Sequence, residues 1–299
     1  MNTCKKYIIC APKMSNSNGV RVLYRLSLLL KDMGYEAHVL SPKQSELLND
    51  SYNKHSYSYI NYTDITENMR QNDIIIYPEV VKGNPLGFKN VVRWVLYYPG
   101  IIGGEKEYKK SECVWAFLPK FYDTGNILSI PTIDTSLFYS DPNIQRNKNA
   151  YFVHKGGEWE CEGLDFNNMI RITINYPQKR ELLADILRHT KVLYSFDNCS
   201  ILLDEAVMCG CKVYVIKRNG EIEEYHSDYY ETYKDWKKQL QDFVFKTQSI
   251  NNFNNDICRV LPTHKIDYGI GWILLHFLKN KSKANDFFFK SLFPTLWNT

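Results

Sequence analysis

One order of elements occurs twice along this chain, and it narrows the fold more than any other feature of the sequence. In the first occurrence the compact apolar run 7–11 leads into a polar loop (12–18) and Gly19. Val20, Leu23, Leu26, Leu30 and Met33 then recur three or four residues apart, the spacing of a helix with one apolar face. Gly34 stands where a helix stop takes a left-handed residue, and 36–40 reads as the next strand. Strand, helix, strand in that order is a right-handed crossover between parallel strands. Further strands are expected at 73–77, 91–97, 113–117 and 127–130, with 49–61 a surface excursion before a short strand or turn.

Residues 139–149 (YSDPNIQRNKN) are polar with one proline, which is linker chemistry. A second alternation begins at once: strands at 150–154, 170–174, 192–195 and 211–216, with helices at 179–188 and 200–208. Two such blocks predict an α/β protein of two doubly wound, Rossmann-like domains facing a cleft, over residues 1–140 and 150–265. The tail, 266–299, is expected to be helical and to return to the first domain. Its lysines (279, 281, 283, 290) interleave with Phe287–Phe289, Leu292, Phe293 and Trp297, a pattern that also suits peripheral contact with a lipid surface.

Composition removes several classes. With 299 residues, 44% hydrophobic and 14% aromatic, the chain has ample apolar surface to offset chain entropy, so disorder is excluded as the main state. No apolar run reaches the roughly 18 residues of a membrane-spanning helix, and the apolar run at the N-terminus is too short for a signal peptide. A cytoplasmic location, at the inner face of a membrane if the tail docks there, is the expectation. The eight cysteines lack C-x-x-C spacing and read as reduced core residues. Residues 1–149 carry 18 Lys/Arg against 14 Asp/Glu, and the remainder 19 against 19, so the net +4 sits in the first half. Such a balance does not indicate nucleic acid.

No G-x-G-x-x-G follows the first strand, and the chain has neither a P-loop, nor G-x-S-x-G, nor H-E-x-x-H. No two aspartates stand at i, i+2, and the seven histidines are scattered, so neither a cofactor nor a bound metal is expected. The informative stretch is 191–216, KVLYSFDNCSILLDEAVMCGCKVYVI. A strand there delivers Asp197 to the carboxyl edge of the sheet, where open α/β folds bind ligands. The loop through Asn198 to Ser200 then opens a helix whose N–H groups and dipole point at the same place. Glu205 follows eight residues after Asp197, where a carboxylate can accept hydrogen bonds from two vicinal hydroxyls. A helix cap plus a solvated glutamate is the plainer reading of the same spacing.

Asp197, Ser200, Glu205-Ala206 and Gly210, followed by a strand, resemble the donor-site pattern of GT-B glycosyltransferases, family four in particular, bacterial polysaccharide enzymes among them. There the two acids stand eight apart, an alanine follows the second, and a glycine lies five beyond it. The first acid here is Asp where the family usually has Glu. Asn18-Gly19-Val20 resembles the glycine loop after the first strand, and 130–138 (IPTIDTSLF) the segment that ends the first domain. The resemblance implies that Asp197 binds the donor sugar and Glu205 the ribose. It places Gly19, Lys155, Gly156, Tyr176, Arg180, Asn198 and Ser200 on the donor side, with Lys155 against the pyrophosphate. Where the family commonly has a His at the end of a first-domain strand, this chain has Tyr97-Tyr98. Glu79 is then the obvious strand-end carboxylate left as a base or acceptor contact; capping of its own loop is the alternative.

The resemblance implies a transferase that moves a sugar from a nucleotide sugar to a glycan or lipid-linked glycan, without a metal and with retention. A nucleotide-sugar epimerase and a non-catalytic two-lobed sugar or nucleotide binder stay open beside it.

Overall fold

The computed structural model describes residues 4–41, 57–154 and 164–250. Lys155, Gly156, Cys161, Cys258 and the 266–299 tail lie outside them.

The first half is a six-stranded, all-parallel sheet in the order β3-β2-β1-β4-β5-β6. Its strands are β1 (Tyr7–Cys10), β2 (Ala37–Leu40), β3 (Tyr59–Ile60), β4 (Ile74–Pro78), β5 (Asn90–Val95) and β6 (Cys113–Ala116). Every residue of β1, β4 and β5 is buried. That explains the unbroken apolar runs of β1 and β4, because a central parallel strand is covered on both faces. Helix α1 (Asn18–Asp32) makes the crossover from β1 to β2 and buries Val20, Leu23, Leu26 and Leu30. It ends at Gly34, whose φ of +88° only glycine adopts without strain. The Gly34 N–H donates to Lys31 O at 2.9 Å and the Tyr35 N–H to Leu30 O at 2.9 Å, the paired bonds of a Schellman stop. A short helix, α2 (Glu67–Asn72), precedes β4 and is capped by Thr66.

The second half is a five-stranded mixed sheet in the order β11-β10-β9-β7-β8. It contains β7 (Lys148–Val153), β8 (Ile170–Thr173), β9 (Thr190–Ser195), β10 (Lys212–Ile216) and β11 (Ile222–Glu224). Only the β10–β11 edge pair is antiparallel. Helices α3 (Arg180–His189) and α4 (Ile201–Met208) link the parallel strands. Strand order reverses at β1/β4 in the first sheet and at β7/β9 in the second. Ligands of doubly wound folds bind at these reversals, beyond the carboxyl ends of the strands.

Two expectations change. Residues 127–130 make a single bridge, Ala116 to Ile127, and no strand. Past that point the ladder is intercepted by side chains, since Ser129 N–H donates to Gln239 Oε1 and Leu128 O accepts from Trp94 Nε1. The second change concerns the chain's return. Helices α5 (Tyr229–Tyr233) and α6 (Trp236–Gln248) follow the second sheet, yet Tyr229, Tyr233, Leu240, Phe243 and Val244 are buried in the core of the first. Tyr7 and Thr247 share a 2.8 Å hydroxyl bond, and Gln248 both donates to and accepts from the Lys5 backbone. Residues 229–248 thus pack with the first core, although 150–265 reads from the sequence as one second-domain unit.

Among the described residues no disulfide forms, and Cys10, Cys113, Cys209 and Cys211 are buried. Burial pushes the Cys209 and Cys211 thiols up to about 12. No helix among the described residues is long and apolar enough to cross a membrane.

Candidate functional site

The carboxyl edges of the two sheets border one cleft of about 510 Å³. From the first half it is walled by the loop leading into α1 and its first turn (Asn16–Gly19), by Leu96 and Tyr97 after β5, and by 117–121 after β6. From the second half come Arg180, the loop Asn198–Ser200, and Asp204 and Glu205 of α4. The chain therefore brings Gly19, Arg180, Asn198, Ser200 and Glu205 to one place. At Gly19 an added Cβ would meet Leu96 at 3.8 Å, an ordinary contact, so the protein's own atoms do not demand glycine there.

Asp197 follows β9 and is 4% exposed. Its Oδ1 accepts the Cys199 N–H at 2.8 Å, closing an Asx turn that aims the chain into α4. Ser200 caps α4, its hydroxyl accepting from Leu202 N–H. Asp197 Oδ2 is buried and has no hydrogen-bond partner. The carboxylate is not itself a wall of the cleft, but it lies near enough to Tyr97, which is, to help raise that phenol's pKa. Burial is the larger cause of the rise, with Cys199, Asp197 and Tyr98 adding to it.

Glu205 is fully buried. Its Oε1 accepts from Arg21 Nη1 of α1 at 3.2 Å and from Arg180 Nη2 of α3. One carboxylate oxygen therefore ties the helix of the first sheet to a helix of the second. Arg21 continues to Thr132 O at 2.6 Å, and Arg180 lies 4.5 Å over the Phe138 ring. The segment 130–138, singled out in the sequence, thus holds both arginines in place. Glu205 Oε2, like Asp197 Oδ2, is buried without a hydrogen-bond partner. Leaving a buried acceptor unmatched costs about 1–3 kcal/mol, so a donor brought to it is stabilising.

Two expected residues are elsewhere. Glu79 is 2% exposed beyond β4, outside the walls of the cleft, and its Oε2 accepts Leu96 N–H at 2.9 Å. It braces the segment that carries Tyr97, so the structure places it as a loop-holding carboxylate. Gly104 packs onto the Glu79 carbonyl so closely that a Cβ would lie 1.8 Å from the oxygen. Tyr176 is 51% exposed in the turn after β8 and does not wall the cleft, whereas Pro177 beside it does.

Three contributors escape a reading of spacing. Arg21 sits inside the apolar run Val20–Leu23 and gives no outward sign that it is buried. Tyr97 reads only as a substitute for a histidine. Asp204 had a signal, since Asp-Glu interrupts the otherwise apolar ILLDEAVM of α4. Its Oδ1 accepts the Tyr225 hydroxyl at 2.8 Å and the Ser227 hydroxyl at 2.6 Å. Burial chiefly raises its pKa; Asp228 and Glu205 push the same way, and the two hydroxyl bonds oppose them.

A carboxyl raised on folding binds protons more readily in the native state. Its stabilising contribution is complete below the ordinary value of 3.8 and lost as pH rises through the folded pKa. Asp204→Asn keeps the oxygen that both hydroxyls use and removes the charge. It is expected to melt above wild type at pH 7, with the gap closing as pH is lowered toward 3.8. Thermal melts at pH 3 and pH 7 test this; a gap independent of pH, or a less stable variant at pH 7, contradicts it.

Among the described residues no cluster of three or more His, Cys, Asp or Glu side chains could hold a metal ion. No protein-family model and no curated protein matches the chain.

Proposed function

We propose that this chain is a GT-B nucleotide-sugar glycosyltransferase, its two Rossmann-like halves acting as acceptor and donor domains. The observation that carries the reading is the pair of buried, unpartnered oxygens, Asp197 Oδ2 and Glu205 Oε2. They belong to the two acids whose spacing resembles the family's donor site, and both lie by the strand-order reversal of the second sheet. A nucleotide sugar offers matching donors: a hydroxyl of the transferred sugar for Asp197 and the ribose hydroxyls for Glu205. Arg180, on the cleft wall, supplies positive charge for the diphosphate that departs with the bonding electrons of the anomeric C–O bond. The acceptor hydroxyl oxygen takes its place on the anomeric carbon, and its proton passes to the departing diphosphate. Positioning and charge stabilisation are the chief sources of rate in such a transfer. Acceptors of this reading are glycans or lipid-linked glycans.

Asp197→Asn is the clean probe, because it keeps the Oδ1 of the Asx turn and replaces the unpartnered acceptor by a donor. Calorimetric titration is expected to show nucleotide-sugar affinity falling about ten- to a hundredfold, the worth of a charge-assisted hydrogen bond. Affinity for the matching nucleoside diphosphate stays within about twofold, since Asp197 is assigned to the sugar. Equal loss for both ligands, or no loss for either, removes Asp197 from the sugar site.

A further inference from the structure

Tyr97, Tyr98 and Phe121 form a three-ring cluster where the wall of the cleft contributed by the first sheet meets solvent. Ring centroids lie 5.2 Å apart for Tyr97–Tyr98, 5.5 Å for Tyr97–Phe121 and 5.1 Å for Tyr98–Phe121. Phe121 is 6% exposed and serves as the base, with Lys120 Nζ 5.7 Å from its ring centroid. Tyr98 is 40% exposed.

The cluster is held from behind. Tyr97 and Tyr98 follow Leu96, whose N–H is fixed by buried Glu79, so the rings are set on a braced segment. Tyr97 and Phe121 wall the cleft directly. Cys199, in the loop before α4, lines the cleft as well, and the buried Asp197 two residues before it acts electrostatically on the Tyr97 hydroxyl. An aromatic surface that is preformed and partly wet, in a cleft also walled by polar groups such as Asn198, Ser200 and Arg180, suits a ligand with one apolar face and many hydroxyls. A pyranose ring is such a ligand: its C–H bonds present an apolar face to an aromatic ring while its hydroxyls stay hydrated or meet polar partners.

We propose that the Tyr97–Tyr98–Phe121 shelf is a subsite for a pyranose ring of the acceptor glycan. As an acceptor site it rests on the transferase reading above; as a sugar-binding surface it does not. A ring on this shelf shares the cleft with Arg180 and the Asn198–Ser200 loop, the side assigned to the donor.

The test is saturation-transfer NMR of the full chain with methyl β-glucopyranoside, methyl β-galactopyranoside and methyl β-glucuronopyranoside as probes. At least one probe is expected to bind wild type, and Tyr98→Ala is expected to weaken it about five- to tenfold, the scale of one aromatic contact. Tyr98→Phe, which keeps the ring, binds as wild type does. Overturning results are an absence of transfer to all three probes, equal binding by a folded Tyr98→Ala protein, or a loss in Tyr98→Phe as large as in Tyr98→Ala. Nucleoside diphosphate titration of the same samples separates the two proposals. Nucleotide binding without pyranoside binding defeats the shelf alone, and pyranoside binding without nucleotide binding defeats the transferase reading alone.

Discussion

Glu205→Ala is expected to lower the unfolding free energy by about 3–5 kcal/mol, the cost of removing one partner from a buried ion pair. At roughly 2–4 °C per kcal/mol in chains of 150–250 residues, the melting temperature falls by about 6–20 °C. The cause is what the alanine leaves behind. Arg21 and Arg180 are 2% and 3% exposed, and both direct a guanidinium nitrogen at the same carboxylate oxygen. Without Glu205, two positive charges face each other with little of either exposed to water. Replacing the whole triad by Arg21→Met, Arg180→Met and Glu205→Met is expected to recover much of the loss, because no buried charge is then left unmatched. Melting curves of the single and triple variants decide it; a single variant within about 1 kcal/mol of wild type shows that the triad does not hold the fold. Loss of ligand binding in Glu205→Ala therefore says nothing of the ribose unless folding is measured beside it.

Arg93→Ala is expected to cost about as much, roughly 3–5 kcal/mol, for a different reason. Arg93 is fully buried in β5, and its Nε pairs with Glu112 at 3.0 Å. Nη1 donates to Val81 O at 2.6 Å and to Pro78 O at 3.3 Å, and Nη2 to Gly83 O at 2.7 Å. The guanidinium also lies 5.2 Å from the ring centroids of both Tyr77 and Tyr108. One side chain thus closes the turn after β4 and neutralises Glu112, which is 3% exposed. Arg93→Lys is expected to lose most of the same stability, since an ammonium cannot reproduce donors spread around a planar fork. Denaturant unfolding of both variants reads the effect. A lysine variant equal to wild type would show that charge alone, without the fork, is what the turn requires.

Much of the scaffold was legible because its strands are central and parallel. Burial on both faces forces continuous apolar runs at β1 and β4, and Gly34 marks the stop of α1 with a backbone angle that favours glycine. What stayed hidden depends on partners distant in sequence. Residues 127–130 are apolar enough for a strand, yet Gln239 and Trp94 take the hydrogen bonds that a ladder needs. Helix α6 contributes Leu240, Phe243 and Val244 to the first core, but an amphipathic stripe does not say which sheet it will cover. The candidate site divides in the same way. Asp197, Ser200 and Glu205 could be placed from their positions after a strand and on the following helix. The burial of Arg21 and Arg180 against Glu205 could not, because nothing local distinguishes an arginine that faces solvent from one that faces a carboxylate 184 residues away in sequence, as for Arg21, or 25, as for Arg180. Glu79 misleads for a related reason: a strand-end carboxylate looks the same whether it meets a ligand or, as here, the Leu96 N–H.

The central claim is that the cleft transfers a sugar from a nucleotide donor. Its most direct measurement is product analysis of the full chain incubated with uridine, guanosine and thymidine diphosphate sugars, with and without a glycan or lipid-linked acceptor, read by phosphorus NMR and mass spectrometry. The account predicts that one donor is consumed, that its nucleoside diphosphate is released, and that the acceptor gains the mass of one sugar residue. Interconversion of the donor sugar with no diphosphate released, or every donor recovered intact from a protein that binds nucleotide, would contradict it.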